Sequence, residues 1–209
     1  ATTEIYTLSL HDALPIWSLI AIDFEKLTGN IIFPKISRDR LLAGRFTAAY
    51  LMNAFCIIYY YIIVGIYTYI KYDEIPDKTW NSLGMALLYT LAVLSFVVFW
   101  SSLMKTTASA VVISVMLVLI VFSIINSILM VSTQQEPYFL LDYLGYSITS
   151  VFDMPDPRYM DMEIAISETD TLTMRTWLTP EIDVAIWGMS IYAVVFIVLA
   201  YVRFKSRQN

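Results

Sequence analysis

The chain has 209 residues, of which 58% are apolar and 15% charged, and its formal charge is −5. Soluble domains average about 25% charged residues, so this composition argues against both an ordinary soluble fold and a disordered chain and indicates a membrane protein. The excess of carboxylates is the wrong sign for a nucleic-acid partner, and a single cysteine, Cys56, excludes an internal disulfide or a paired-cysteine metal site.

Residues 1–16 resemble a translated sequencing adapter rather than protein. Their back-translation is similar to a common short-read adapter in one frame, and they lack the basic start and apolar run of a signal peptide. We therefore leave them out of the fold prediction, which also removes the only histidine, His11. Residues 17–22 are apolar and are expected to be the inner end of a membrane helix whose beginning precedes the sequence.

Residues 23–45 form an amphipathic stretch. One predicted helical face carries four apolar residues at helical spacing, namely Phe24, Leu27, Ile31 and Ile32. Pro34 ends this helix, and Ser37 can cap a second helix over residues 38–45 that runs into the next apolar segment. Such a stretch suits either of two roles: an anchor at the lipid interface, or a helix that inserts into a groove on a cytoplasmic partner.

Four later segments contain no Asp, Glu, Lys, Arg or His and are each long enough to span a bilayer. About 20 apolar residues cross a ~30 Å hydrocarbon core, and one central charge would cost roughly 2.5–3.5 kcal/mol. We therefore predict an all-α, polytopic membrane protein with four visible transmembrane helices, at residues 46–70, 80–103, 107–131 and 184–202.

The outer segment, residues 132–181, divides into two parts. Residues 138–152 are apolar but too short to span, which predicts a pair of re-entrant or interfacial helices with a break at Gly145. In the polar part that follows, Pro155 and Pro157 oppose regular structure. Thr179 and Pro180 then predict the N-cap and first residue of the last membrane helix.

The acidic residues of the polar part raise the question of a metal site. They lack the spaced ligand loop of a calcium-binding EF-hand, so a solvated outer face is the favoured interpretation and no metal ligand is assigned. The residues concerned are Asp153, Asp156, Asp161 and Glu163.

The distribution of charge predicts the orientation in the membrane. If the four spans alternate, one side collects nine Lys and Arg residues, and the other collects four against thirteen carboxylates. The positive-inside rule then places residues 23–45 and the tail 203–209 in the cytoplasm, within a multi-pass protein of the cell membrane. The acidic side faces outward.

A few polar residues within the predicted spans are candidates for a transport path or a subunit seam. Tyr59 and Tyr60 lie deeper than the interfacial belt where tyrosines usually occur, although ordinary packing explains them as well. Asn53 and Asn126 are amides in apolar surroundings, for which we expect hydrogen bonds between helices.

The residues of the 23–45 stretch resemble the permease subunits of ABC transporters of type 2, the exporter-like family. The matching elements are a glutamate, a Thr-Gly pair, a proline, a Ser-Arg pair and an apolar-Gly-Arg entry to the next span, at Glu25, Thr28, Gly29, Pro34, Ser37, Arg38, Gly44 and Arg45. The chain departs from the pattern because Thr precedes Gly, Lys35 lengthens the proline element and Arg45 replaces a lysine. These departures concern the docking contacts more than the family.

The resemblance implies that residues 23–45 contain a coupling helix that docks on a separate ATP-binding subunit, and that the four spans are the third to sixth of six. It also implies a second permease protomer. The chain has no GxxxxGK[ST] phosphate loop, so ATP would be hydrolysed by the partner, and the chain itself is expected to be non-catalytic and free of cofactors. The alternatives are an ion-coupled secondary transporter and an intramembrane enzyme, but neither midplane ionisable groups nor hydrolase motifs occur in the spans.

Overall fold

The computed structural model describes residues 38–104, 107–132, 135–165 and 171–206. These residues are mostly helical, and four of the helices are long and apolar enough to cross a membrane. The predicted all-α, polytopic fold is therefore confirmed.

The first long helix, α1, runs without interruption over Arg38–Tyr72, 35 residues. It contains the predicted second amphipathic helix, residues 38–45, which continues directly into the first span. The helix ends because Asp73 adopts a left-handed backbone, with φ of 57°, and its N–H donates to the carbonyl of Tyr69 at 2.9 Å. Aspartate is one of the few residues besides glycine that tolerates this conformation.

The next two predicted spans are both helical, and the second contains a local irregularity. Helix α2 covers Lys78–Leu103. The following span consists of α3 (Thr107–Met116), a π-helical segment (Leu117–Val121) and α4 (Phe122–Ser132). The sequence did not predict the π segment, because Leu117–Val121 is as uniformly apolar as the rest of the span.

The outer segment contains two short helices and a β-hairpin. Helix α5 (Leu141–Gly145) ends at the predicted break, and α6 (Ser147–Ser150) follows. Strands β1 (Tyr159–Ala165) and β2 (Thr171–Trp177) pair antiparallel. The expectation that prolines oppose regular structure here was therefore wrong for most of this stretch, because Pro155 and Pro157 precede β1 instead of interrupting it.

The last long helix, α7, covers Ile182–Ser206. It begins two residues later than predicted: the carbonyl of Glu181 accepts the N–H of Ala185 at 2.9 Å, whereas the Thr179 hydroxyl donates to the adjacent Pro180 carbonyl at 3.3 Å. The predicted N-cap at Thr179 was thus wrong, although the helix was predicted correctly.

The chain forms two compact units. The first comprises the described residues up to Asn53, with Leu91–Leu117 and the C-terminal part from Tyr192, and its core lies where α1, α2 and α7 meet. The second comprises Ala54–Thr90 and Val118–Ile191. In the second unit, Leu144 of α5 is fully buried, and a Cβ on Gly188 of α7 would lie 2.9 Å from its Cδ1, so these two helices are in close contact.

Candidate functional site

Most residues assigned to ATPase docking fall outside the described part of the chain. This applies to Glu25, Thr28, Gly29, Pro34 and Ser37. The sixth, Arg38, is the first residue of α1. At 1.5 Å per residue, α1 extends about 52 Å from that point, well beyond the ~30 Å of a hydrocarbon core. A single unbroken helix therefore connects the end of the docking sequence with the membrane span.

The N-terminal part of α1 is held by a group of apolar contacts that we call the Ala49 cluster. Ala49 is buried together with two residues of α2 and two of α7, and partly buried side chains pack around them; the full set is Ala49, Leu94, Val98, Ala200 and Phe204, with Leu42, Phe46, Tyr50 and Phe99. Phe196 of α7 also contacts Phe96 and Phe99 of α2, at ring-centroid distances of 5.1 and 5.4 Å. The beginning of α1 is thus fixed to the ends of two other long helices.

An apolar cavity of about 390 Å³ adjoins this cluster. It lies between the first turns of α1 and the last turns of α7 and is lined by Leu42, Ala43, Phe46, Thr47, Val98, Ile197, Val198, Ala200 and Tyr201. Unfilled space beside a helix lowers the cost of moving it, because fewer dispersion contacts must be broken. This space adjoins the first turns of α1, which follow directly after Arg38.

Two of the residues proposed for a path or seam are on the surface of α1. Tyr59 and Tyr60 are 58% and 61% exposed, so neither lines an interior path in this chain. The third tyrosine of the run, Tyr61, does turn inward. Its hydroxyl lies 2.7 Å from Oγ of Ser82, which donates to the carbonyl of Ile148 at 2.8 Å. Tyr61 therefore donates to Ser82, and α1, α2 and α6 are connected by this chain of hydrogen bonds.

The two amides differ from each other. The side-chain N–H of Asn53 donates to the carbonyl of Ala49 at 2.8 Å, within the same helix, so the expected bond between helices was wrong for this residue. Oδ1 of Asn126 is buried and has no hydrogen-bond partner among the described residues. No bond from this oxygen to another helix is therefore seen within the described part of the chain, and the seam role of Asn126 stays a prediction.

A second apolar cavity, of about 320 Å³, lies between the last turns of α1 and the start of α2. Tyr61, Tyr69 and Thr79 are its polar border, and the remaining lining is apolar: Ile58, Ile62, Gly65, Ile66, Ile75, Trp80 and Leu83. This groove suits an apolar chain or ring, since it offers little besides hydrocarbon contact.

A buried carboxylate with several hydrogen-bond donors around it lies at Glu136, and we call its surroundings the Glu136 cluster. Its side chain is only 4% exposed. It accepts hydrogen bonds from the hydroxyls of Tyr138 at 2.6 Å and Tyr143 at 2.8 Å, and from Nη1 of Arg158 at 3.0 Å. Nη2 of Arg158 donates to Glu181 at 3.0 Å, immediately before α7. The cluster therefore holds the entrance to α5, the base of the hairpin and the start of α7 together.

The cluster also changes the acidity of its tyrosines. Burial, followed by the hydrogen bond to Glu136, raises the pKa of Tyr143 well above its usual range. The hydrogen bond to Glu136 is the main cause of the raised pKa of Tyr138, which is more exposed. Both phenols therefore remain protonated donors at neutral pH.

Sequence reasoning missed this cluster, although a signal for it exists. Each of its three charged residues is adjacent to a proline, in Glu136-Pro137, Pro157-Arg158 and Pro180-Glu181. Proline fixes its own backbone angle, and Pro137 also restricts the preceding Glu136, so the backbone beside each charge has fewer conformations. The acids for which a solvated face was predicted are a different set, of which Asp153, Asp156 and Asp161 are exposed.

No family model, curated protein or solved structure matches this chain. Its function must therefore be inferred from its own residues and contacts.

Proposed function

We propose that this chain is the membrane-spanning permease subunit of an ATP-driven ABC transporter of the type-2, exporter-like class. In this proposal, ATP hydrolysis on a separate subunit moves residues 23–45, and α1 transmits the movement to the membrane. The observation that supports it most directly is the continuity of α1 from Arg38, the last residue of the Ser-Arg element, through the whole first span.

The physical argument concerns stiffness. A flexible linker would absorb a displacement, whereas an α-helix with every backbone bond satisfied transmits it over its length. The Ala49 cluster would pass the same displacement to α2 and α7, because α1 contacts both there. The adjoining apolar cavity leaves room for α1 to shift.

The exposed apolar surface supports the expectation of a second permease protomer. Leu51, Phe55 and Tyr59 repeat at helical spacing along α1 and are 60%, 68% and 58% exposed. Such a stripe requires lipid or another protein as its neighbour. In the proposal, Tyr59 belongs to the seam between the two protomers.

The alternative of an ion-coupled secondary transporter gains no support from the described residues. Transporters of that kind place ionisable groups or broken helices near the middle of the membrane. The predicted spans carry no Asp, Glu, Lys, Arg or His, and α1, α2 and α7 are unbroken over their lengths. The remaining span contains the π-helical segment Leu117–Val121, which carries no ionisable side chain.

The test is association with a phosphate-loop ATPase. We expect the tagged full-length protein, purified from native membranes, to retain such an ATPase, and the charge reversals Glu25→Lys and Arg38→Glu to weaken this association by at least about tenfold. Lys71→Glu, at the opposite end of α1, is the matched control. Retention that is equal in the parent and both charge-reversed variants would contradict the proposal.

A further inference from the structure

The apolar cavity beside the Ala49 cluster lies where the first turns of α1 meet the last turns of α7. Its lining begins at Leu42 on α1 and ends at Tyr201 on α7. Leu42 packs against the buried group that contains Ala200 and Phe204, so the two helix ends are neighbours. The cavity volume of about 390 Å³ lies within the roughly 300–1,000 Å³ of ligand pockets, and all but two of the lining residues are apolar. The cavity therefore suits a hydrocarbon chain.

The cavity opens toward the surrounding bilayer. Val198 contributes to its lining and is nevertheless 52% exposed, and the neighbouring Ile197 is 39% exposed. Both belong to the candidate membrane span Ile182–Ser206, and the α1 residues of the lining belong to the candidate span Leu42–Tyr72. A lipid chain can therefore enter from the side, without passing through the interior of the protein.

Two cations lie about one helical turn beyond the cavity, one on each helix. On α1, Arg40 precedes the lining residues Ala43 and Thr47 by three and seven positions. On α7, Lys205 follows the lining residue Tyr201 by four positions. Residues at these spacings share one face of a helix, so both cations lie on the faces that border the cavity. Both are exposed, and in the part of the chain that the structure describes neither forms an ion pair.

The charge around the cavity favours an anion. The described part of the first unit contains five Lys and Arg residues and a single Asp. The other apolar groove, between the last turns of α1 and the start of α2, lacks this excess, because residues 71–78 carry two lysines and three carboxylates. Basic pockets between membrane helices bind anionic lipid headgroups. An apolar cavity with cations at one end is therefore complementary to a lipid whose headgroup is negatively charged.

We propose that this cavity binds one anionic phospholipid, with the upper part of an acyl chain between α1 and α7 and the phosphate at Arg40 and Lys205. In the predicted orientation, this lipid belongs to the cytoplasmic leaflet. The site goes beyond the proposed permease function and does not depend on it, since it requires only the packing of α1, α2 and α7 against one another.

The test is lipid binding by the purified full chain in detergent, measured by native mass spectrometry during titration with phosphatidylglycerol. We expect one tightly bound lipid per chain, and an apparent affinity at least about tenfold lower in Arg40→Gln/Lys205→Gln, because both cations that face the phosphate are lost. Phosphatidylcholine with the same chains carries no net charge and should bind at least about tenfold more weakly to the parent. Inorganic phosphate should not displace the lipid, since it makes no contact with the cavity.

Two further variants separate a built site from the general attraction of cations for anionic lipid. Arg203→Gln removes the same charge from the same end of α7, but Arg203 is exposed and lies about 160° around the helix from Lys205, so the affinity should change by less than about twofold. Ala43→Leu keeps both cations and places a larger side chain at the cavity wall, so it should lower the affinity at least about tenfold.

The substituted residues are exposed, so the thermal unfolding of the variants should match that of the parent. If the double variant is destabilised, Arg40→Gln and Lys205→Gln must each lower the affinity on their own. Equal affinities in the parent and the double variant, or an equal loss in Arg203→Gln, would overturn the proposal. So would an affinity that Ala43→Leu leaves unchanged, or displacement of the lipid by inorganic phosphate.

Discussion

The carboxylate of Glu136 shows how one side chain can organise a region of this protein. Three donors converge on this carboxylate, whose side chain is only 4% exposed and would otherwise be buried without partners. Hydrogen bonds to a charged group contribute about 1.5–3 kcal/mol each, and an unpaired buried donor costs a comparable amount. The identity of this one residue therefore matters more than that of the exposed acids around it.

We predict that Glu136→Gln lowers the free energy of unfolding by about 1–3 kcal/mol, because the amide keeps the shape but loses the charge that pairs with Arg158. Thermal unfolding of the purified protein in detergent measures the effect. Glu74→Gln is the control, since Glu74 lies exposed in the turn after α1 and should shift stability by no more than about 0.5 kcal/mol. Equal stability of the parent and Glu136→Gln would show that the charge of Glu136 does not contribute to the free energy of unfolding.

Tyr143 gives the cluster a dependence on alkaline pH. Its pKa is raised in the folded state by burial and by Glu136, whereas the unfolded chain ionises near its ordinary value of about 10. The stabilisation is therefore fully present below pH 10 and is lost as the pH rises above it. We expect Tyr143→Phe to be less stable than the parent at pH 7 but to lose less stability between pH 9 and 11. Parallel curves for the two proteins over that range would contradict this.

At the scale of the elements, the close contact of α5 depends on glycine. A Cβ on Gly145 would lie 3.0 Å from Cε2 and 3.1 Å from Cζ of Tyr89, closer than ordinary packing allows. We expect Gly145→Ala to destabilise the protein by about 1–3 kcal/mol through overpacking. In Gly84→Ala of α2 the new Cβ meets nothing within 4 Å, so this control should instead stabilise by up to about 1 kcal/mol. A neutral effect of Gly145→Ala would mean that Tyr89 moves away freely.

The long helices could be predicted from the sequence and the outer contacts could not, for physical reasons. Each span is marked by its own lack of charge, which is a local property of the sequence. In the Glu136 cluster, Glu136 lies 22 positions before Arg158 and 45 positions before Glu181. No local sequence pattern predicts that these residues are close together. The sequence did not predict the hairpin, because an alternation of Met, Asp and Glu is a weak indication of a β-strand.

The tyrosine run shows the same limit on a smaller scale. Adjacent residues of a helix face different directions, so Tyr59, Tyr60 and Tyr61 cannot all face the interior. The sequence alone does not indicate which of them does. In the structure, Tyr61 faces inward and is hydrogen-bonded to Ser82, whereas Tyr59 and Tyr60 are exposed. The partner that decides this, Ser82, lies in a different helix.

For the whole molecule, the charge distribution predicts an orientation that can be measured. In a Cys56→Ala background, Glu74→Cys and Asp153→Cys should react with a membrane-impermeant maleimide in intact cells. Met104→Cys and Lys205→Cys should react only after the membrane is permeabilised. Labelling of residue 205 in intact cells would reverse the orientation and would remove residues 23–45 from the cytoplasm, where an ATPase could reach them.

The most direct test of the central claim uses Cys56, the only cysteine, which lies exposed on α1. An environment-sensitive fluorophore on this thiol reports movement of α1 without knowledge of the cargo. With the ATPase partner bound, we predict that ATP changes the emission, that a non-hydrolysable analogue traps the changed state, and that Arg38→Glu abolishes the response. An emission that ATP leaves unchanged in the assembled complex, or that changes equally without the partner, would contradict the role of α1 as the element that transmits ATP-driven movement.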